Sequence, residues 1–157
     1  MNDATTCYTF EGALEAAIAM EEEGFRNYLR ALKTVQQKGA KDILRENALD
    51  ELNHKHQLER ALIEGQMEGD QGMLRELHSM NLTYALKKQE LGPDSGVREA
   101  LAYAIHLEKD AVDFYGRVAE GCAGAPMASL FNRLKAEETL HLQRLEDMYE
   151  EHFMAEN

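Results

Sequence analysis

Apolar residues recur at intervals of three and four along four stretches of the chain, and in each stretch acidic or imidazole side chains interrupt the stripe near its middle. The first stripe reads Leu14, Ile18, Glu21, Phe25, Tyr28, Leu32, Val35, and the second Leu44, Asn47, Glu51, His54, Leu58, Ala61. The third reads Leu101, Ile105, Glu108, Val112, Tyr115, Ala119, Cys122, and the fourth Phe131, Leu134, Glu138, His141, Leu145, Met148. A 3–4 spacing puts side chains on one face of a helix, the face that turns toward a bundle core. The pattern predicts four long amphipathic helices and an all-α fold.

The stripes are two copies of one unit. Ala17-Ile18-Ala19-Met20-Glu21 recurs as Ala104-Ile105-His106-Leu107-Glu108, an offset of 87 (108 − 21). The same offset carries Tyr28 to Tyr115, Glu51 to Glu138, His54 to His141 and Leu58 to Leu145 without a gap. The chain therefore reads as one domain, 1–157, made of two helical hairpins at about 9–66 and 95–153, joined by a crossover at about 67–94. The crossover carries a short helical stretch around Met73–Lys88, with Leu74, Leu77, Leu82 and Leu86. Such a long connector suits a bundle whose second and third helices run parallel. Gly92-Pro93-Asp94-Ser95 punctuates the chain and offers Asp94 or Ser95 as an N-cap. Gly39 is expected to divide the first two helices. Gly121 to Pro126 is expected to divide the last two, with Pro126 in a first helical turn.

A carboxylate in the middle of an apolar stripe needs a partner, because an unpaired buried charge is very costly. No Lys or Arg occupies the stripes to neutralise Glu21, Glu51, Glu108 and Glu138. Two divalent cations would balance four carboxylates and leave two imidazoles neutral. In Glu51-Leu52-Asn53-His54 and Glu138-Thr139-Leu140-His141 the paired side chains are three residues apart. That is about 60° around the helix and roughly 4.5 Å along it, so both can reach one dinuclear centre. One Glu-x-x-His is a weak signal. Two copies at a constant offset, each accompanied by a stripe Glu with a Tyr seven residues on, are a strong one. The candidate metal ligands are thus Glu21, Glu51, His54, Glu108, Glu138 and His141.

Other residues add less. Tyr28 and Tyr115 have two readings, as core aromatics whose hydroxyls need a partner or as donors to the ligating carboxylates. Glu22, Glu23, Asp50 and Glu137 fall off the stripes and are expected in solvent. His56 and His106 lie on other helical faces, where surface roles are expected, and His78 and His152 carry no motif. The methionines are gap-fillers, since thioethers suit copper(I) rather than a carboxylate site.

Hydrophobic residues make up 44% and charged residues 29%, which fits a globular helical protein. The net charge of −12 argues against nucleic acid and against an anionic membrane surface as partners. No apolar run approaches the roughly 18 residues of a membrane span. Met1-Asn2-Asp3-Ala4 does not begin a signal peptide, so the cytoplasm is the expected location. Cys7 and Cys122 are too few for a disulfide framework. Cys122 is expected as a small core residue, and Cys7 has no evident partner. Without a CxxC pair, the chain builds neither a rubredoxin-type iron site nor a zinc ribbon.

At Ala17-Ile18-x-x-Glu21 with Phe25 and Tyr28, Glu51-x-x-His54, Ala104-Ile105-x-x-Glu108 with Tyr115, and Glu138-x-x-His141, the sequence resembles the ferritin-like superfamily. Within it, the chain is similar to the rubrerythrin-like proteins over nearly its whole length. The resemblance implies a ferritin-like four-helix bundle with a non-haem di-iron site, two Fe ions cycling between Fe²⁺ and Fe³⁺. Mn or Zn are alternative occupants of the same ligands. It further implies reaction with hydrogen peroxide or dioxygen, and a homodimer. Rubrerythrins proper add a rubredoxin domain, which this sequence lacks, so an external electron donor protein is expected. They also carry an extra carboxylate three residues after the second stripe Glu, where this chain has Ala111, with Gly24 as its repeat mate. Two other functions stay open: a ferroxidase that handles iron, and a structural or interaction bundle with or without metal.

Overall fold

The computed structural model describes residues 9–65, 86, 90–125 and 127–154. Four helices account for nearly all of them: α1 (Phe10–Thr34), α2 (Lys38–Glu64), α3 (Val97–Gly121) and α4 (Met127–Tyr149), with a π-helical turn at Glu150–Met154. There is no strand among the described residues. The architecture is an all-α four-helix bundle, as the stripes predict. None of the described helices is long and apolar enough to cross a membrane. The expected crossover helix around Met73–Lys88 falls almost wholly outside the described residues.

The repeat is visible in the helices themselves. Both α1 and α3 have 25 residues, and each end of α3 lies 87 positions beyond the matching end of α1. Within each half the helices pack closely, α1 on α2 and α3 on α4. The halves meet at the starts of α2 and α3. There the Gln36 amide donates to the Pro93 carbonyl at 3.2 Å, and the Gln37 side chain donates to the Asp94 carbonyl at 3.4 Å. Two helices that begin side by side and run on together are parallel, which is why a long crossover is needed.

Helix boundaries follow local chemistry, with two corrections. Thr9 caps α1 by accepting from the Gly12 amide at 3.1 Å, and Gly65 closes α2 with a positive φ of 77°. The N-cap of α3 is Gly96 rather than Asp94 or Ser95. The Ser95 hydroxyl is engaged instead by the Gly92 amide at 2.9 Å, and Glu99 reaches back to the Gly96 amide at 3.0 Å. Nor does Gly39 divide α1 from α2. The break is at 35–37, and Gly39 lies in the first turn of α2. A Cβ there would sit 2.6 Å from Val97 Cγ2, so this glycine permits close helix approach rather than a turn. Gly121 does end α3; Pro126 lies outside the described residues.

The core falls into two apolar clusters. One contains Tyr28, Val35, Leu44, Leu101, Ile105, Leu142 and Leu145. The other contains Leu14, Leu58, Tyr115, Cys122, Phe131 and Leu134. Adding 87 to a member of one lands in the other: Leu14 to Leu101, Tyr28 to Tyr115, Leu44 to Phe131, Leu58 to Leu145. The clusters are thus related by the same two-fold exchange that relates the hairpins. Cys122 is buried as expected, but its sulfur is engaged in a disulfide rather than free. Disulfide pairing is set by proximity in the fold, which spacing along the chain does not encode. Cys7 lies outside the described residues.

Candidate metal centre

Between the two apolar clusters lies a polar layer. Glu21 and Glu108 enter it from α1 and α3, each 2% exposed. Glu51 and Glu138 enter from α2 and α4 at 5% and 2% exposed. One turn further along, His54 and His141 stack with ring centroids 4.7 Å apart and planes at 29°.

Two overlapping sets of donor atoms lie within 4.8 Å of one another: Glu21, Glu51, His54 and Glu138, and His54, Glu138 and His141. Glu108 stands outside both sets but is tied to them, because its carboxylate interacts with those of Glu51 and Glu138. His54 Nδ1 is 3.2 Å from Glu138 Oε1 and 3.6 Å from Glu21 Oε2. All six residues picked from the stripes therefore share one layer.

The two tyrosines cross between the halves. The Tyr28 hydroxyl, on α1, donates to Glu108 Oε1 on α3 at 3.1 Å, and it lies 3.4 Å from the Ala104 carbonyl oxygen. The Tyr115 hydroxyl, on α3, donates to Glu21 Oε1 on α1 at 3.1 Å and lies 3.5 Å from the Ala17 carbonyl oxygen. Both tyrosines are wholly buried. Burial, then the facing carboxylates, push both hydroxyls well above their usual ionisation range, so they stay protonated donors. Core packing and hydrogen bonding, read from sequence as alternatives, are both realised.

Carboxylates packed this closely do not all ionise without a counter-charge. Burial alone would raise Glu21. The close approach of Glu51, His54 and Glu138 outweighs it and brings Glu21 down to about 2. Glu51 moves the other way, raised by burial and by the neighbouring carboxylates of Glu21 and Glu108. Glu138 is raised well above the usual carboxylate range by burial and by the charge of Glu108. Without cations, then, the cluster keeps protons on some carboxylates to hold down its charge. Burial lowers His141, while the Glu21 contact lifts His54 despite burial.

The donors have the chemistry to hold metal. Glu21 Oε2, Glu108 Oε2, Glu138 Oε2 and His141 Nδ1 are buried without a hydrogen-bond partner. Such orphaned atoms are rare and costly in a folded protein, and here four converge in one layer. The tyrosine bonds occupy the other oxygens of Glu21 and Glu108 and leave these available. Carboxylate and imidazole donors suit Fe, Mn and Zn alike.

Around the layer, the off-stripe acids behave as expected. Glu22 and Glu23 are partly or fully exposed. Glu22 bonds Arg26 at 2.8 Å and Lys55 at 2.9 Å, so residues adjacent to Glu21 and His54 pin α1 to α2. His56 is exposed. His106 is partly buried, with Nε2 3.0 Å from the Leu86 carbonyl oxygen, so it has a packing role rather than a purely surface one. Sequence reasoning missed the wall beside the layer. A Cβ at Gly24 would lie 3.1 Å from both the carboxyl carbon and Oε2 of Glu51, so the carboxylate rests against bare backbone. It also missed Glu146, which is wholly buried on α4.

A family model described as rubrerythrin matches residues 12–149. No curated protein matches, and no solved structure matches.

Proposed function

The chain belongs to the rubrerythrin family, and from that premise we propose that it is a non-haem di-iron oxidoreductase acting on hydrogen peroxide or dioxygen. The observation that carries this reading is the set of four orphaned donor atoms inside one buried layer of four glutamates and two histidines. In it, Glu21, Glu51, His54, Glu108, Glu138 and His141 hold two iron ions, with Mn and Zn as competitors for the same donors. When bound, the iron pair supplies one-electron Fe²⁺/Fe³⁺ cycling and polarises an O–O bond.

The chain's own residues set the conditions for that chemistry. Tyr28 and Tyr115 hold one oxygen each of Glu108 and Glu21, which fixes the direction of the free oxygen. The apolar clusters above and below the layer exclude bulk water and strengthen every charge interaction within it. Glu51 and Glu138, which hold protons when no cation is present, give them up as metal binds. Electrons come from an external donor protein.

The test is stopped-flow mixing of the reduced, iron-loaded protein with H₂O₂ and, in parallel, with O₂. The expected result is a single-turnover absorbance change whose rate is first order in at least one oxidant and which Glu51→Ala and Glu138→Ala abolish. A protein that consumes neither oxidant rejects the proposal. Oxidation of many Fe²⁺ per chain into a retained mineral would assign it to iron storage instead.

A further inference from the structure

A cavity of about 70 Å³ opens beside the polar layer. Six of its nine lining residues form pairs related by the 87-residue repeat, and Asn27 adds a further polar side chain. Met20 and Leu107 form an apolar sleeve, Gly24 and Ala111 are small, and Glu23 and Asp110 are both exposed acids. The cavity therefore lies between α1 and α3, where the two halves exchange. Deeper in, it is lined by the carboxylates of Glu21 and Glu51. Glu21 is 2% exposed, and its Oε2 has no hydrogen-bond partner.

We propose that this cavity is the port through which a divalent metal ion reaches the centre, with Glu23 and Asp110 as its collecting lip and Glu21 as the first buried ligand it meets. This rests on the metal-binding reading above. An acidic rim means little by itself. Here the rim leads past an apolar sleeve to a buried carboxylate oxygen that has no hydrogen-bond partner and lies 3.6 Å from His54 Nδ1. No Lys or Arg lines the path. A neutral oxidant gains nothing from a pair of acids at the mouth, whereas a cation is concentrated there, all the more so against a net charge of −12. Gly24 and Ala111 keep the passage open: a Cβ at Gly24 would press on the Glu51 carboxylate at 3.1 Å, and a larger side chain at Ala111 would fill the cavity it lines.

The test is anaerobic stopped-flow uptake of Co²⁺ by the metal-free protein, read by its ligand-field absorption and independent of any turnover. In Glu23→Gln/Asp110→Asn, uptake should slow by about tenfold at low ionic strength. The difference should shrink as salt rises, and the final stoichiometry and spectrum should match the wild type. Glu11→Gln/Glu15→Gln removes equal charge from exposed positions near the start of α1 and should leave the rate near wild type. Ala111→Leu should slow uptake at every ionic strength. Wild-type rates in both Glu23→Gln/Asp110→Asn and Ala111→Leu overturn the port, as does equal slowing in the two charge variants. Wild-type protein that takes up no Co²⁺ overturns the binding reading beneath it.

Discussion

Tyr28 on α1 donates its hydrogen bond not to Glu21, its neighbour on the same helix, but to Glu108 in the other half of the molecule, at 3.1 Å. Tyr115 returns the bond to Glu21 at the same distance. The crossed pair explains why both halves carry the same tyrosine: each half orients the other's carboxylate.

A double-mutant cycle on the metal-free protein checks this crossing. Tyr28→Phe leaves a buried carboxylate oxygen without its donor and should cost about 1–3 kcal/mol by urea unfolding. Tyr28→Phe with Glu108→Gln should show a coupling energy of at least about 0.5 kcal/mol, and Tyr28→Phe with Glu21→Gln should be close to additive. Coupling to Glu21 alone would contradict the arrangement.

Metal binding should release protons. Glu51 and Glu138 are raised well above the ordinary carboxylate range in the metal-free protein, and each must ionise to ligate. Zn²⁺ titration in weakly buffered solution at pH 7 should release about two protons per chain, and affinity should rise with pH. An affinity independent of pH between 6 and 8 would contradict the assignment.

The same two groups set how the metal-free protein responds to pH. A carboxyl raised in the folded state binds its proton more tightly there than in the unfolded chain. Its contribution is fully present below the unfolded value of 4.5 and is lost as pH rises toward the folded one. Glu21, lowered to about 2, contributes fully and constantly above 4.5, and its contribution is lost only as pH falls from there toward 2. Urea midpoints of the metal-free protein should therefore decline from pH 5 to pH 8, while those of the metal-loaded protein do not. Glu138→Gln, a neutral mimic of the protonated acid, should leave metal-free stability at pH 6 within about 1 kcal/mol of wild type and should flatten the decline.

The meeting of α2 and α3 has its own test. Gly39→Ala drives a Cβ to 2.6 Å from Val97 Cγ2 and should destabilise the protein by about 1–3 kcal/mol. Val97→Ala added to it should recover most of that loss. A fully additive double variant would mean that the two residues do not touch.

Much of this was legible in the sequence because two signals reinforced each other. The 3–4 stripes showed which residues face inward, and the constant offset showed that Glu21 and Glu108, or His54 and His141, occupy equivalent places. What stayed hidden depends on contacts between helices. The stripe shows Tyr28 facing the core, but not that its hydroxyl passes Glu21 for Glu108. Glycine is ambiguous for the same reason. Gly39 reads as a helix breaker along the chain, and only the approach of Val97 gives it a packing role. Gly24 enters the sequence reading only as the repeat mate of Ala111, and its contact with the Glu51 carboxylate is visible only in the fold. The N-cap of α3 falls at Gly96 although Ser95 and Asp94 have good capping chemistry, because the Ser95 hydroxyl is used by the Gly92 amide.

The most direct test of the account is an anaerobic Fe²⁺ titration of the metal-free protein, with bound metal counted per chain. The account predicts a sharp break at two ions per chain, lost in Glu51→Ala/Glu138→Ala while the helical content is unchanged. Saturation at zero ions, or two ions retained in that double variant, would contradict it.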